Sequence, residues 1–493
     1  MKHRKYIEAL VNYASLHPDK EAVYDIATGQ RLTYDRLKKN IEIHASYYAE
    51  KEICKWDVVL LLTEQLKTLI SFYALTSLEA VSLLVNPEIH PEELEYILKN
   101  SGATYVISNS SHYAKFEKVI QNHSLLKAVI IPEKPATSFK NENKPVYTGE
   151  PAVHDVKPLN DPDEDTIVAL LYTYKGVGKY IPVPHRYEGF NIALDGFATY
   201  YSCLPCSETD TQLVVLPLHG IFGLFMCGLY TIYRGSRLIF SGPDLYKIPE
   251  LIYEEQVNFI CVIPSLLRVL KRSLSSMKKQ DKPKPSLLFF SGGAKIDPAF
   301  QKEFIEETGF NVADGYGATE VYPFTVSANT GVIGSVGNFA IENNEVQIRN
   351  EKGIPVKHGE LGQVWIKVPW LPSMEWNGDN SLSHFFAGEW FNSGDIGYIN
   401  EGGHLFIIAR HFAFTKVRGM MVDLVKIEKL LEQHEAITSA RVLALENDKM
   451  ETELVVHAIG KQVTAKEIKT YLQSHIANYK IPKTILLFNE NQN

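Results

Sequence analysis

Short apolar runs that alternate with helical patterns are the strongest constraint on the fold of this chain. Residues 57–63 and 103–109 are apolar stretches of strand length bounded by polar turns, whereas 66–80 and 91–100 carry apolar residues at helical spacing. Strands alternating with helices predict a parallel, layered α/β sheet. From Pro132 to Asp165 the chain turns rich in proline, lysine and acids, which predicts a strap between two subdomains. A strand then resumes over Thr166 to Tyr172.

A second α/β unit is expected from Val214–Pro217, Ile248–Glu255, Phe259–Ile263, Ser265–Ser273 and Leu287–Ser291, sharing one large core with the first. Alternation at Glu345-Val346-Gln347-Ile348 and at Gln363 to Lys367 predicts antiparallel strands of a small β-barrel. Beyond Arg410, Leu424, Ile427, Leu430 and Leu431 mark one helix face. Ala440–Leu445 and Leu454–Ile459 read as strands, and Thr464-x-x-Glu467 is a capping box. The expected architecture is therefore α/β: a large N-terminal domain over 1–409, with two layered subdomains and a small barrel, then an α+β lobe over 410–493.

A chain of 493 residues can bury several cores, and 45% hydrophobic with 22% charged residues is an ordinary globular balance. Its net charge of −8 opposes binding to a polyanion, so small-molecule partners are expected instead of nucleic acid. The five cysteines include Cys203-x-x-Cys206, but no second pair accompanies it, so thiols are expected there and not a zinc site. The apolar stretch from Leu213 to Tyr233 contains Pro217, His219 and three glycines, which suits a buried strand, turn and helix better than a membrane span. The first residues lack a secretion signal's apolar core, and a cytoplasmic location is expected.

Asp314-Gly315-Tyr316-Gly317-Ala318-Thr319-Glu320 is an acidic, glycine-spaced turn. Its glycines admit phosphate oxygens close to backbone N–H groups, Tyr316 offers a flat face to a base, Thr319 a hydroxyl donor, and Glu320 a hard ligand for Mg²⁺. Taken alone it reads equally well as an ordinary loop. Downstream stand Ser393-Gly394-Asp395, where a carboxylate on a glycine turn can accept from a ribose diol, and Leu405 to Arg410, a buried strand ending in a guanidinium.

In order and spacing these pieces resemble the adenylate-forming superfamily, which includes acyl-CoA synthetases, aryl-CoA ligases, adenylation domains and luciferases. The likeness runs from Leu32-Thr33-Tyr34-Asp35 to the last lobe and includes Ser291-Gly292-Gly293-Ala294 and Lys416-Val417-Arg418-Gly419. The resemblance implies that Tyr316 and the Gly293–Ala294 edge sandwich adenine, and that Asp314, Gly315, Gly317 and Ile407 also belong to the nucleotide site. It places Asp395 on the ribose, Arg410 beside the sugar, Thr319 at the α-phosphate and Glu320 on the metal. It also implies a C-terminal lobe that swings between two poses about Phe412, where relatives usually carry a polar residue.

Two segments depart from the family pattern. The phosphate loop, Tyr172-Thr173-Tyr174-Lys175-Gly176-Val177-Gly178-Lys179, is shorter and poorer in hydroxyls, leaving Thr173, Gly176, Gly178 and Lys179 as the expected phosphate contacts and predicting weaker triphosphate binding. The lysine that relatives carry in a late Gly-Lys pair is not found before Asn493, and neither Lys480 nor Lys483 is expected to replace it. Reduced or altered adenylation follows from that.

The segment containing His219, Gly220, Phe222 and Gly223 is similar to the family's substrate gate. Gly220 stands where amino-acid-activating relatives place an aspartate, which predicts an amine-free acid, and its apolar neighbours favour a fatty or aryl one. His219 reads either as the gate or as a satisfied core histidine. The expected activity is ATP- and Mg²⁺-dependent conversion of a carboxylic acid, a fatty acid above all, through acyl-AMP to its CoA thioester. The alternatives are a nucleotide- or acyl-adenylate-binding homologue with impaired catalysis, and a ligase that delivers to a carrier-protein thiol.

Overall fold

The strand Val58–Leu62 is buried along its whole length, as a strand must be when both faces of its sheet are covered. It belongs to a seven-stranded sheet ordered Val146–Thr148, Ala128–Ile131, Tyr105–Ser108, Val58–Leu62, Val81–Leu84, Ile167–Tyr174, Tyr180–Arg186, parallel except for the last pair. These coordinates come from a computed structural model, which describes residues 3–134, 144–174, 179–201, 204, 207–278, 285–326, 332–338, 341, 343–410, 414–418, 420–446, 451–461 and 463–488.

A second sheet, of eight strands, has the parallel centre Asn311–Ala318, Leu288–Ser291, Phe259–Val262, Thr211–Val214, Arg237–Phe240, Glu21–Asp25. The antiparallel strands Tyr322–Val326 and Gln30–Thr33 close its edges. Helices Tyr34–Glu50, Gln65–Ser77 and Tyr187–Tyr200 lie between the two sheets. Leu37, Leu69, Phe72 and Phe190 join Val59 of one sheet and Phe259 of the other in a single core. Two further cores cover the outer faces, one including Leu60, Leu94 and Phe116, the other Ile260, Leu267 and Phe304. Helix ends follow local chemistry: Pro91 opens Pro91–Ser101 and Gly102 ends it in the left-handed region at φ 71°.

The barrel-like unit is a five-stranded antiparallel sheet in which Trp390–Ile399 pairs with Gly362–Lys367, Phe386–Ala387 and Leu405–Arg410, and Glu345–Arg349 lies outermost. The last part of the chain forms a three-stranded sheet, Ile437–Glu446, Thr452–Gly460 and Thr484–Phe488. Helices Leu424–Glu432 and Ala465–Gln473 pack on it over their own core of Ile427, Leu431, Val456, Ile468 and Leu472. Thr464 and Glu467 make the capping box read from the sequence. The segment 213–233 is a strand end followed by the π-helix Gly223–Leu229 and the short helix Tyr230–Tyr233, all deep in the large core. Among the described residues, no helix is long and apolar enough to cross a membrane.

Candidate active site

Ligand crevices in open α/β sheets lie beyond the carboxyl ends of the parallel strands. Here those ends carry Ile263, Ser291-Gly292-Gly293 and the extension of Asn311–Ala318 past the sheet edge. Two cavities meet there. The outer one, about 600 Å³, lies between this rim and the C-terminal lobe and is lined by Gly293, Ala294, Gly315, Tyr316, Gly317, Asp395 and Ile407 from the core, with Thr415, Lys469 and Lys483 from the lobe. The inner one, about 340 Å³, is lined by Thr173, His219, Gly220, Phe222, Gly223, Ala318, Thr319 and Tyr322 among others. Gly293, Gly315, Tyr316, Gly317, Arg418 and Tyr479 border both, so the two spaces are continuous.

The hydroxyl of Tyr316 donates to a carboxylate oxygen of Asp395. That bond joins the end of the eight-stranded sheet to the five-stranded one across 79 residues of sequence. Asp395 is buried, and its backbone N–H donates to Ser393 Oγ at 3.1 Å, while Gly394 turns the chain at φ 77°. On the neighbouring strand the backbone of Arg410 lies opposite Asp395; the Arg410 side chain is outside the described residues. Gly293, at φ 78°, lets the chain turn at the rim shared by the two cavities without a side chain.

Three readings change in the structure, those of Glu320, Asp314 and Lys179. Glu320 is fully buried and lines neither cavity, so the residues present do not offer it to Mg²⁺ in this conformation. Among the described residues, no group of three or more His, Cys, Asp or Glu is placed to hold a metal. Asp314 also lines neither cavity. Its carboxylate accepts from the Gly315 N–H at 3.2 Å, and burial raises its pKa well above the ordinary value, which makes it part of the turn's scaffold. Lys179 points away from both cavities and donates to Asp379 at 3.1 Å. Gly176, Gly178, Phe412, Cys203 and Cys206 lie outside the described residues.

His219 lines the inner cavity as a neutral ring, its pKa pulled down to about 4 by burial and by His112. Phe222 closes over Gly292, where a Cβ would come within 3.0 Å of its ring. The sequence reading missed Tyr322 and the tyrosines Tyr172, Tyr174 and Tyr180, all on the inner cavity wall. It also missed Arg418 and Tyr479 as lining residues, although Arg418 lies in a segment that carries the family likeness.

The C-terminal lobe is fastened beside this junction. Lys480 donates to Glu93 at 2.6 Å and to the Tyr180 hydroxyl at 2.9 Å, with Lys426 at 3.5 Å from the same carboxylate. Burial disfavours both partners' charges. It wins for Lys480, whose pKa is lowered, whereas at Glu93 the two ammonium groups outweigh it and hold the carboxyl below its ordinary range. Tyr174 donates to Asp423 close by. Lys480 is thus committed to Glu93 and lines neither cavity, whereas Lys483 faces the outer one.

A doubly sheeted α/β core, an appended antiparallel sheet and a small lobe over a cleft at the strand ends make up the fold of the adenylate-forming enzymes. The chain belongs to the AMP-binding enzyme family, whose model matches residues 10–374. It is 27% identical over 491 residues to a 2-succinylbenzoate–CoA ligase of Geobacillus sp. (strain WCH70), covering 98% of this chain and 93% of the relative. It is 26% identical over 488 residues to a long-chain-fatty-acid–CoA ligase of Mycobacterium tuberculosis, covering 96% and 92%. A solved structure of an o-succinylbenzoate CoA synthetase double mutant from Bacillus subtilis, bound to a product analogue, shares the fold with a TM-score of 0.81 at 20% identity, covering 99% and 95%.

Proposed function

We propose that this chain is an ATP-dependent acid–thiol ligase. The acid's carboxylate attacks the α-phosphorus of ATP and pyrophosphate leaves, giving acyl-AMP; the CoA thiol then attacks the acyl carbon and AMP leaves. The observation that carries the reading is the Tyr316–Asp395 bond at the seam between the two cavities. An aromatic face and a buried carboxylate there suit a nucleoside, and the apolar chamber behind them suits the tail of an acid.

In this reading Tyr316 and the Gly293–Ala294 edge flank adenine, Asp395 exchanges its tyrosine partner for the ribose hydroxyls, and Thr319 contacts the α-phosphate. Arg410 assists at the sugar and Thr173 at the outer phosphates, while His219, Gly220, Phe222 and Gly223 shape the acid's chamber. Residues 410–493 act as the moving lobe. Relatives acting on 2-succinylbenzoate and on long-chain fatty acids are about equally similar to the chain, so the acid is an aryl or an aliphatic one.

The test is incubation with ATP, Mg²⁺, CoA and a broad panel of acids, with AMP, pyrophosphate and acyl-AMP followed by mass spectrometry. Release of AMP and pyrophosphate that depends on the acid is the expected result. ATP binding without either product for any acid would overturn it. The burial of Glu320 and the pairing of Lys179 with Asp379 favour a second reading, a nucleotide-binding homologue with impaired catalysis; saturable AMP binding without turnover is its signature.

A further inference from the structure

Among the described residues that line the inner cavity, Arg418 at its mouth is the one Lys or Arg, and there is no Asp or Glu. His219 stays neutral near pH 7. Several polar atoms on the wall are already engaged with protein. The Tyr172 hydroxyl donates to Asn100 at 2.7 Å, Tyr174 to Asp423, Tyr180 to Glu93 at 3.3 Å, and the Asn86 amide to the Met420 sulfur at 3.0 Å. A second charge on the ligand would find neither a carboxylate nor a second cation on that wall to offset its lost hydration.

One stretch of this wall is fixed by aromatic packing. Tyr322 lies parallel to Phe190, with centroids 4.9 Å apart, and stacks on Phe225 at 5.4 Å and Trp370 at 6.4 Å, while His185 sits 4.9 Å away. All four neighbours are buried, and none of them lines the cavity. The hydroxyl of Tyr322 fits against Gly189, where an added Cβ would approach it to 3.3 Å. Its backbone is held at φ 60°, a conformation a bulky residue keeps only when its surroundings dictate it.

We propose, building on the ligase reading above, that Tyr322 is the size-determining residue of the acid chamber, and that the chamber takes monocarboxylic acids with a compact, uncharged tail, such as an alkyl-substituted aryl ring. Amino acids, dicarboxylic acids and long linear acids are rejected, the first two for want of a counter-charge and the last by the Tyr322 stack.

The test measures direct binding of benzoate, 4-butylbenzoate, terephthalate, 4-(aminomethyl)benzoate and hexadecanoate by calorimetry, alongside AMP release, for the full chain and two variants. Wild type should favour 4-butylbenzoate over terephthalate, the amino acid and hexadecanoate by about tenfold or more. Tyr322→Ala should move the preference toward hexadecanoate by about tenfold, and Ala318→Leu, which narrows the same chamber, should move it toward benzoate. Equal binding of the diacid or the long acid by wild type overturns the inference while leaving the ligase reading intact. So does an unchanged preference in both variants. If Tyr322→Ala does not fold, Ala318→Leu decides. Failure of every acid to bind while AMP binds removes the ligase reading itself, and this inference with it.

Discussion

The two halves of the cleft differ most in charge. The outer cavity is bordered by Arg268, Lys295, Asp395, Arg418, Glu451, Glu453, Lys469 and Lys483, the inner by Arg418 alone. Charged side chains can partner a ligand's phosphates and other polar groups, whereas a wall of apolar and neutral side chains offers a charge nothing to replace its hydration. A ligand spanning both spaces is therefore polar at one end and apolar at the other, as an acyl adenylate is. Gly293 and the run Gly315-Tyr316-Gly317 form the seam because a backbone with little side chain lets two differently solvated spaces touch.

The contrast depends on the lobe staying docked, so the largest expected effect comes from the pair that docks it. Lys480→Met leaves Glu93 buried without its nearest ammonium and should weaken docking by about 3–5 kcal/mol. Faster hydrogen exchange in the Phe414–Val417 and Met420–Asp423 hairpin would register the loss. The double variant Glu93→Gln with Lys480→Met should recover much of it, since no buried charge then remains unpaired. Unchanged exchange in the single variant would mean that the neighbouring contacts, Tyr174 with Asp423 and Asn86 with Met420, hold the lobe without the pair.

Asp395→Ala attacks the outer half alone. Losing a buried, charge-assisted acceptor should lower AMP affinity about 10- to 100-fold by calorimetry, while binding of an acid in the absence of nucleotide stays within about twofold. Equal losses for both ligands would show that the two cavities act as one site, which would dissolve the comparison.

The sequence discloses most of what is local here. The apolar run containing Val58–Leu62, the capping box at Thr464 and Glu467 and the alternation in Gly362–Lys367 all follow from periodicity and end chemistry. Tyr316 and Asp395 were within reach through family spacing, which stores a tertiary contact as an order of motifs. The misplacements have a common cause. Lys179 reads as a phosphate donor until Asp379, 200 residues on, is seen beside it, and nothing near Glu93 in the chain announces its pairing with Lys480, 387 residues on. Glu320 belongs to the right motif, yet the turn between Asn311–Ala318 and Tyr322–Val326 aims it inward. Tyr322 carries no local signal at all, because its role comes from a stack assembled from Phe190, Phe225 and Trp370.

The inner half has its own pH signature. His219 titrates near 6.5 when unfolded and at about 4 when folded, so the folded form binds fewer protons between those values. Stability is full above about pH 6.5 and declines as pH falls toward about 4. With allowance for the solvent that reaches this ring, the cost is about 1 kcal/mol at about pH 5.5. His44 and His185, depressed to about 4 and about 3 by burial, add to it in the same direction. Urea midpoints for wild type and His219→Phe should diverge on acidification, and parallel curves would place His219 in contact with bulk water.

The smallest effect tests whether the lobe's side of the outer cavity is built independently of the core. Helix Ala465–Gln473 presents Lys469 and Gln473 to that cavity, and its first turn is held by Thr464, whose hydroxyl accepts from the Glu467 N–H at 3.2 Å while Glu467 accepts from the Thr464 N–H at 2.8 Å. Thr464→Ala removes one half of this exchange at an exposed helix end and should cost about 0.5–1 kcal/mol of lobe stability. Neither Thr464 nor Glu467 lines either cavity, so AMP affinity should fall less than about twofold and acid binding not at all. A drop in acid binding as well would mean that the lobe shapes the inner chamber through Tyr479, which borders both cavities, and that the polar and apolar halves are mechanically joined at that residue.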